Sequence, residues 1–193
     1  IHSVKRKEYL ITGGGYGAFT VPETLSGNTT QSEYSSTKIG RACWCERDNL
    51  YYGVMTDKAG YIASSNDGYT WTEIKVFSSG NVLGIADLST GERLCAVASG
   101  KVALSTDGQV WTIQDAPFLT IAGYAYSPEH DLFCAADNSG KIYLTKNFRY
   151  WQELEAPANV KFKDFFHFAD GIFIGAAYQS DRFYILATAT PIK

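Results

Sequence analysis

Residues 64–71 read SSNDGYTW, a knot of Ser, Asn, Asp and Gly closed by a tryptophan. The pattern returns in ALSTDGQVW, ending at Trp111, and in YLTKNFRYW, ending at Trp151. Trp71, Trp111 and Trp151 therefore stand 40 residues apart, and Gly60, Gly100 and Gly140 keep the same interval. Two markers in one register establish an internal repeat.

Apolar runs precede the repeat glycine or its equivalent: LYYGVM (50–55), LCAVAS (94–99), LFCAAD (132–137) and IFIGAA (172–177). Before them stand GRACWC (40–45), GIADLS (84–89), GYAYSP (123–128) and KDFFHF (163–168). Each unit reads as four short strands: a small apolar one, a buried one, an alternating one ending in the knot, and one carrying Trp. No stretch keeps a helical period, so the chain reads as all-β. Four strands in about 40 residues is the proportion of a β-propeller blade. The expectation is a single β-propeller domain over 1–193, with five blades near 1–37, 38–78, 79–117, 118–156 and 157–193. The alternatives are a partial propeller of a longer chain and an open β-solenoid. The insert at 22–37, PETLSGNTTQSEYSST, is the least regular segment.

Composition agrees. The 193 residues include 13 Tyr, 11 Phe, 4 Trp and 18 Gly but only 5 Pro, and aromatics suit pleated surfaces as Gly suits tight turns. A net charge of −3 with no Lys/Arg run longer than Lys5-Arg6-Lys7 argues against nucleic acid as a partner. No apolar run reaches the ~18 residues that a membrane-spanning helix needs. Cys43, Cys45, Cys95 and Cys134 read as small reduced core residues, without the His neighbours that a metal site calls for. Neither a metal nor a cofactor is expected. Asn28-Thr29-Thr30 is a formal glycosylation acceptor.

The knot has a physical logic. An Asp carboxylate can accept backbone N–H groups in the hairpin, Gly tolerates positive φ, and a Ser or Thr hydroxyl ties a strand to the turn. Trp then covers the knot. Ser65, Asp67, Gly68 and Trp71 fit this pattern, as do Ser105, Asp107, Gly108 and Trp111; Thr145, Asn147 and Trp151 form a degenerate copy with Phe148 in the glycine position. The pattern Ser-x-Asp-Gly-x-x-Trp resembles the Asp-box, or BNR repeat, of sialidase-like propellers. That resemblance implies a structural knot on the third-to-fourth strand turn, away from the binding face.

Catalysis finds little support. Sialidases with this repeat use three arginines and a Tyr nucleophile. Arg6, Arg41, Arg47, Arg93, Arg149 and Arg182 stand in no such motif, and the chain is about half the length of such an enzyme. Asp57, Asp87, Glu129, Asp131, Asp137, Asp164 and Asp181 could supply the opposed carboxylates of a glycosidase, but sequence does not pair them. No catalytic residue is assigned.

Binding is expected opposite the knots, on the second-to-third and blade-to-blade connections. Asp57, Lys58, Asp137, Asn138, Gln179, Asp181 and Arg182 are the contact candidates there. Divergent knots, low charge and abundant Tyr are similar to phage- and virus-associated propeller domains. They imply a non-enzymatic virion decoration, fibre or tail component, located on the virion and docking on protein subunits or a host glycan. The alternatives are a lectin or glycoside-hydrolase fragment, and an assembly factor like the photosystem-assembly propellers.

Overall fold

The computed structural model describes residues 2–3, 8–13, 16–22, 37–88, 93–155, 160–169, 172–179 and 182–189, with side-chain environments for 37–88, 94–155 and 160–164. The glycosylation acceptor at Asn28, most of the 22–37 insert and Asp181 lie outside them. The chain forms two compact units, one of residues 1–97 and 103–112, the other of residues 98–102 and 113–193.

Every sheet is a run of neighbouring strands in chain order. The first joins β1 (His2–Ser3), β2 (Glu8–Gly13) and β3 (Tyr16–Pro22). The second joins β4 (Ile39–Cys45), β5 (Leu50–Met55), β6 (Tyr61–Ser65) and β7 (Thr72–Lys75). The third follows with β8 (Val82–Leu88), β9 (Arg93–Ala98), β10 (Lys101–Ser105) and β11 (Thr112–Asp115). The fourth holds β12 (Gly123–Ser127), β13 (Leu132–Ala136), β14 (Lys141–Thr145) and β15 (Gln152–Glu155). The fifth has β16 (Lys161–Ala169), β17 (Ile172–Gln179) and β18 (Arg182–Ala189). Three sheets are thus four-stranded and two are three-stranded among the described residues. One short 3-10 turn, Pro128–His130, is the helical element described.

Burial grades across each four-stranded sheet. The second strand is covered on both faces, so β13 (LFCAA) is buried throughout and reads as a continuous apolar run. The fourth strand is mostly exposed, as in β7 (TEIK), where only Ile74 is buried. In the first unit Ile39, Tyr51, Met55 and Ala63 form a core on which Trp44 and Trp71 pack. In the second, Leu132, Cys134, Ile142, Leu144 and Phe162 belong to one cluster.

The three tryptophans fall one residue before the fourth strand rather than within it. The repeat glycines all take left-handed backbone, with φ of 79° at Gly60, 66° at Gly100 and 97° at Gly140. They sit at the end of the third strand opposite its knot. There the Gly60 carbonyl accepts the N–H groups of Val76 (2.9 Å) and Phe77 (3.1 Å). A side chain at Gly60 would meet the Phe77 carbonyl oxygen at 2.3 Å, so the close approach and the positive φ both require glycine.

Candidate functional site

The knots are built as hydrogen-bonded clasps. In the first, Ser65 Oγ accepts the Gly68 N–H (2.8 Å) and donates to Asp67 Oδ1 (2.9 Å). The same Oδ1 accepts the N–H groups of Tyr69 and Thr70, each at 2.8 Å. Trp71 Nε1 then donates to the Gly68 carbonyl at 3.1 Å. The second knot repeats this: Ser105 accepts from Gly108 (2.9 Å), Asp107 accepts from Gln109 and Val110 (2.8 Å each), and Trp111 donates to the Gly108 carbonyl (3.3 Å). Burial pushes the Asp67 carboxyl up, but its backbone N–H donors and the Ser65 hydroxyl outweigh that and hold it below the usual range. The N–H groups of Val110 and Gln109 likewise lower Asp107.

The third knot is wired differently. Asn147 Oδ1 accepts the N–H groups of Arg149 and Tyr150, both at 3.0 Å, as the carboxylates do elsewhere. A neutral amide oxygen attracts a further donor less strongly than a carboxylate. The Thr145 hydroxyl accordingly donates to the Tyr150 carbonyl (2.8 Å) while accepting from Phe148 (2.8 Å). Phe148 takes the glycine's left-handed backbone, φ 61°, and is 1% exposed. Its ring packs near Phe133 (5.3 Å) and Trp151 (5.9 Å). Trp151 stands edge-on to Phe118 at 5.5 Å, and its buried Nε1 has no partner.

A pocket of about 350 Å³ opens beside this third knot, lined by Leu144, Lys146, Asn147, Tyr150, Trp151 and Gln152 among others. Tyr150 is 80% exposed, and Val110, at the equivalent place in the second knot, is 73% exposed. Strand alternation puts the first-to-second turn at the same end of each sheet as the knot. Tyrosine–aspartate ties close two of those turns: Tyr52 donates to Asp48 (3.0 Å), and Tyr126 to Asp131 (2.8 Å). Arg47 forks onto the same Asp48 carboxylate, at 2.7 and 2.9 Å.

The sequence-derived contact candidates lie at the other end of their sheets. Asp57 and Asn138 are exposed. Lys58 is engaged: it pairs with Glu73 and lies 4.3 Å over the Tyr61 ring. Asp137 faces inward, 7% exposed. Its Oδ1 accepts from Ser139 N (2.8 Å), Ser139 Oγ (2.7 Å) and Lys141 N (3.0 Å), and its Oδ2 from Tyr143 (3.1 Å). Burial raises that carboxyl, the Ser139 and Lys141 donors more than offset it, and the result lies below the usual value. Burial and the Asp137 hydrogen bond push Tyr143 up to about 12. Gln179 and Arg182 face each other across the β17–β18 turn. Asp57 and Lys58 share the β5–β6 turn, and Asp137 and Asn138 the β13–β14 turn.

Other candidate groups are similarly occupied. Glu129 accepts from Ser127 at 2.9 Å. Burial raises Asp87, and burial raises the thiols of Cys43, Cys45 (to about 12) and Cys134, which suits core thiols rather than nucleophiles. Among the described residues no cluster of three or more His, Cys, Asp or Glu could hold a metal.

Sequence reading did not single out the pocket or Tyr150. The signal was present in the degenerate third copy, where Asn replaces Asp and Phe replaces Gly.

No protein-family model matches the chain, and no curated protein matches it by sequence. Solved structures do. A Chaetomium thermophilum Raptor structure aligns with TM-score 0.72 at 11% identity, over 96% of this chain and 19% of that one. The Cps50 (Swd1) β-propeller domain of Myceliophteria thermophila aligns with TM-score 0.71 at 10% identity, over 95% and 66%. KlHsv2, with a loop replaced by a Gly-Ser linker, aligns with TM-score 0.62 at 11% identity, over 91% and 60%. The chain spans less than two thirds of each of these proteins. The fold is all-β and that of a β-propeller.

Proposed function

We propose that this chain is a non-enzymatic propeller module that binds a protein partner, as a virion decoration, fibre or tail component. One observation carries the reading. The ordered carboxylates Asp48, Asp67, Asp107, Asp131 and Asp137 close turns within their own sheets, while Val110 and Tyr150, at equivalent places in their knots, stand 73% and 80% exposed. Acids spent on structure and apolar groups offered to the surface suit docking rather than chemistry. The serine–aspartate clasps under Trp71 and Trp111 support the likeness to the Asp-box turn. The low charge and abundant Tyr support the virion assignment.

Mass spectrometry of purified particles from the native source tests it. The chain is expected there at a fixed ratio to structural subunits, with incorporation reduced by Val110→Asp or Tyr150→Asp. Turnover of fluorogenic glycosides by the pure chain, or its absence from particles, would overturn the reading. A second reading, a glycan as the docking target, is favoured by the pocket at Tyr150.

A further inference from the structure

We propose that the pocket beside the third knot is a binding subsite for a saccharide bearing a carboxylate. Its volume of about 350 Å³ lies at the low end of small-ligand sites, on the order of 300–1,000 Å³, a scale that suits one or two sugar rings.

The hydrogen-bonding capacity left in the pocket is rich in donors. Asn147 Oδ1 is already taken by two backbone N–H groups, which leaves an amide nitrogen that can only donate. Thr145 Oγ1 has accepted from Phe148 and given its proton to Tyr150. Lys146 is exposed and only donates. The lining contains this one cation and no carboxylate, and its other amide, Gln152, can both donate and accept. Such a set recognises an acceptor-rich, anionic ligand.

The aromatic supplies the second half of the chemistry. Tyr150 is 80% exposed beside the apolar surface of Leu144 and Trp151. An aromatic face is electron-rich and attracts the polarised C–H groups of a sugar ring. A flat C–H face combined with many oxygen acceptors describes a saccharide, and the positive lining selects an acidic one.

The other two knots lack this combination. Their corresponding positions hold Asp67 and Asp107, whose lowered pKa keeps them anionic, so they would repel a carboxylate. Thr70 and Val110 take the place of Tyr150 there. The inference rests on the binding-module reading but needs no protein partner.

Isothermal titration of the pure chain tests it with three probes: a glucuronate-containing tetrasaccharide, neutral cellotetraose and free acetate. The uronate saccharide is expected to bind at least about tenfold more tightly than cellotetraose, a difference of ~1.4 kcal/mol, and acetate not at all. Tyr150→Ala and Asn147→Asp should each weaken uronate binding by about tenfold or more, while Tyr150→Phe retains it. Asn147→Asp places in this knot the residue of the other two, so an unchanged melting temperature controls for folding. Equal binding of the neutral saccharide, no saccharide binding, or wild-type binding by both weakened variants would overturn the proposal. Incorporation into particles would be untouched by that failure, which separates it from failure of the docking reading.

Discussion

The Tyr52 side chain lies directly against the α-carbon of Gly108, so that a β-carbon built there would stand 2.3 Å from the phenolic oxygen. Tyr52 comes from β5 and Gly108 from the knot after β10, so one sheet's inner strand is seated on the next sheet's clasp. The hydroxyl is fixed by its bond to Asp48 at 3.0 Å and is not free to swing away. Glycine is needed twice over, because φ is also 71° there.

Gly108→Ala should therefore cost about 3 kcal/mol, combining ~1–2 for left-handed backbone with ~1–3 for overpacking. Gly80 has φ 81° but nothing within 4 Å of a built β-carbon. Gly80→Ala should cost only the backbone term, about 1 kcal/mol. Urea denaturation compares the two. Tyr52→Phe removes the nearest clashing atom and should recover part of the Gly108→Ala loss in a double-mutant cycle. Equal costs at the two glycines would refute the seat.

The clasp can be dissected at the first knot. Asp67→Ala removes the acceptor of the Tyr69 and Thr70 N–H groups and should destabilise by about 1–2 kcal/mol, since water reaches part of the site. Asp67→Asn should cost less than about 1 kcal/mol, because an amide oxygen can take the same two bonds. The third knot supplies the precedent, with Asn147 holding two N–H groups at 3.0 Å. Thermal melts of the two variants give the order, and equal losses would mean that charge, not hydrogen bonding, holds the turn.

Acid should loosen the protein through these groups. Asp67, Asp107 and Asp137 titrate below their usual value when folded. Their contribution is complete above the unfolded carboxylate pKa, about 3.9, and is lost as pH falls through the lowered folded values. Asp87 has the opposite sign. Burial raises it, so its ionised form costs stability at neutral pH and the cost disappears on protonation. Asp107→Asn should flatten the acid limb of stability against pH. Asp87→Asn should raise stability near pH 7 and change nothing at low pH, as read from denaturant midpoints across the range.

The repeat made the strands, the knots and the left-handed glycines readable, because each copy solves the same backbone problem at the same offset. Gly60, Gly100 and Gly140 are recognisable as turn glycines from their 40-residue spacing alone. The site was less legible, since exposure is a tertiary property. Asp137 reads as a surface turn acid in ADNSG, yet Tyr143, six residues on, draws its carboxylate inward. Lys58 reads as available, yet Glu73 on the fourth strand takes it. Nothing local announces that Phe148 can hold a glycine's backbone. Only the ring cluster formed with Phe133 and Trp151 shows what holds it there.

Phe148 gives the sharpest test of repeat logic against local packing. Phe148→Gly restores the residue that the other two knots share and relieves about 1–2 kcal/mol of left-handed strain. It also empties the place of a ring that is 1% exposed, a loss of roughly 3–5 kcal/mol for a buried aromatic truncated this far. The variant should therefore be less stable by about 2 kcal/mol, the difference of those two effects. Its near-ultraviolet circular dichroism should change as well, because Trp151 and Phe133 lose their packing partner. If Phe148→Gly instead stabilised the protein, the third knot would be a damaged copy of the others rather than a rebuilt one, and the pocket beside it would lose its structural rationale.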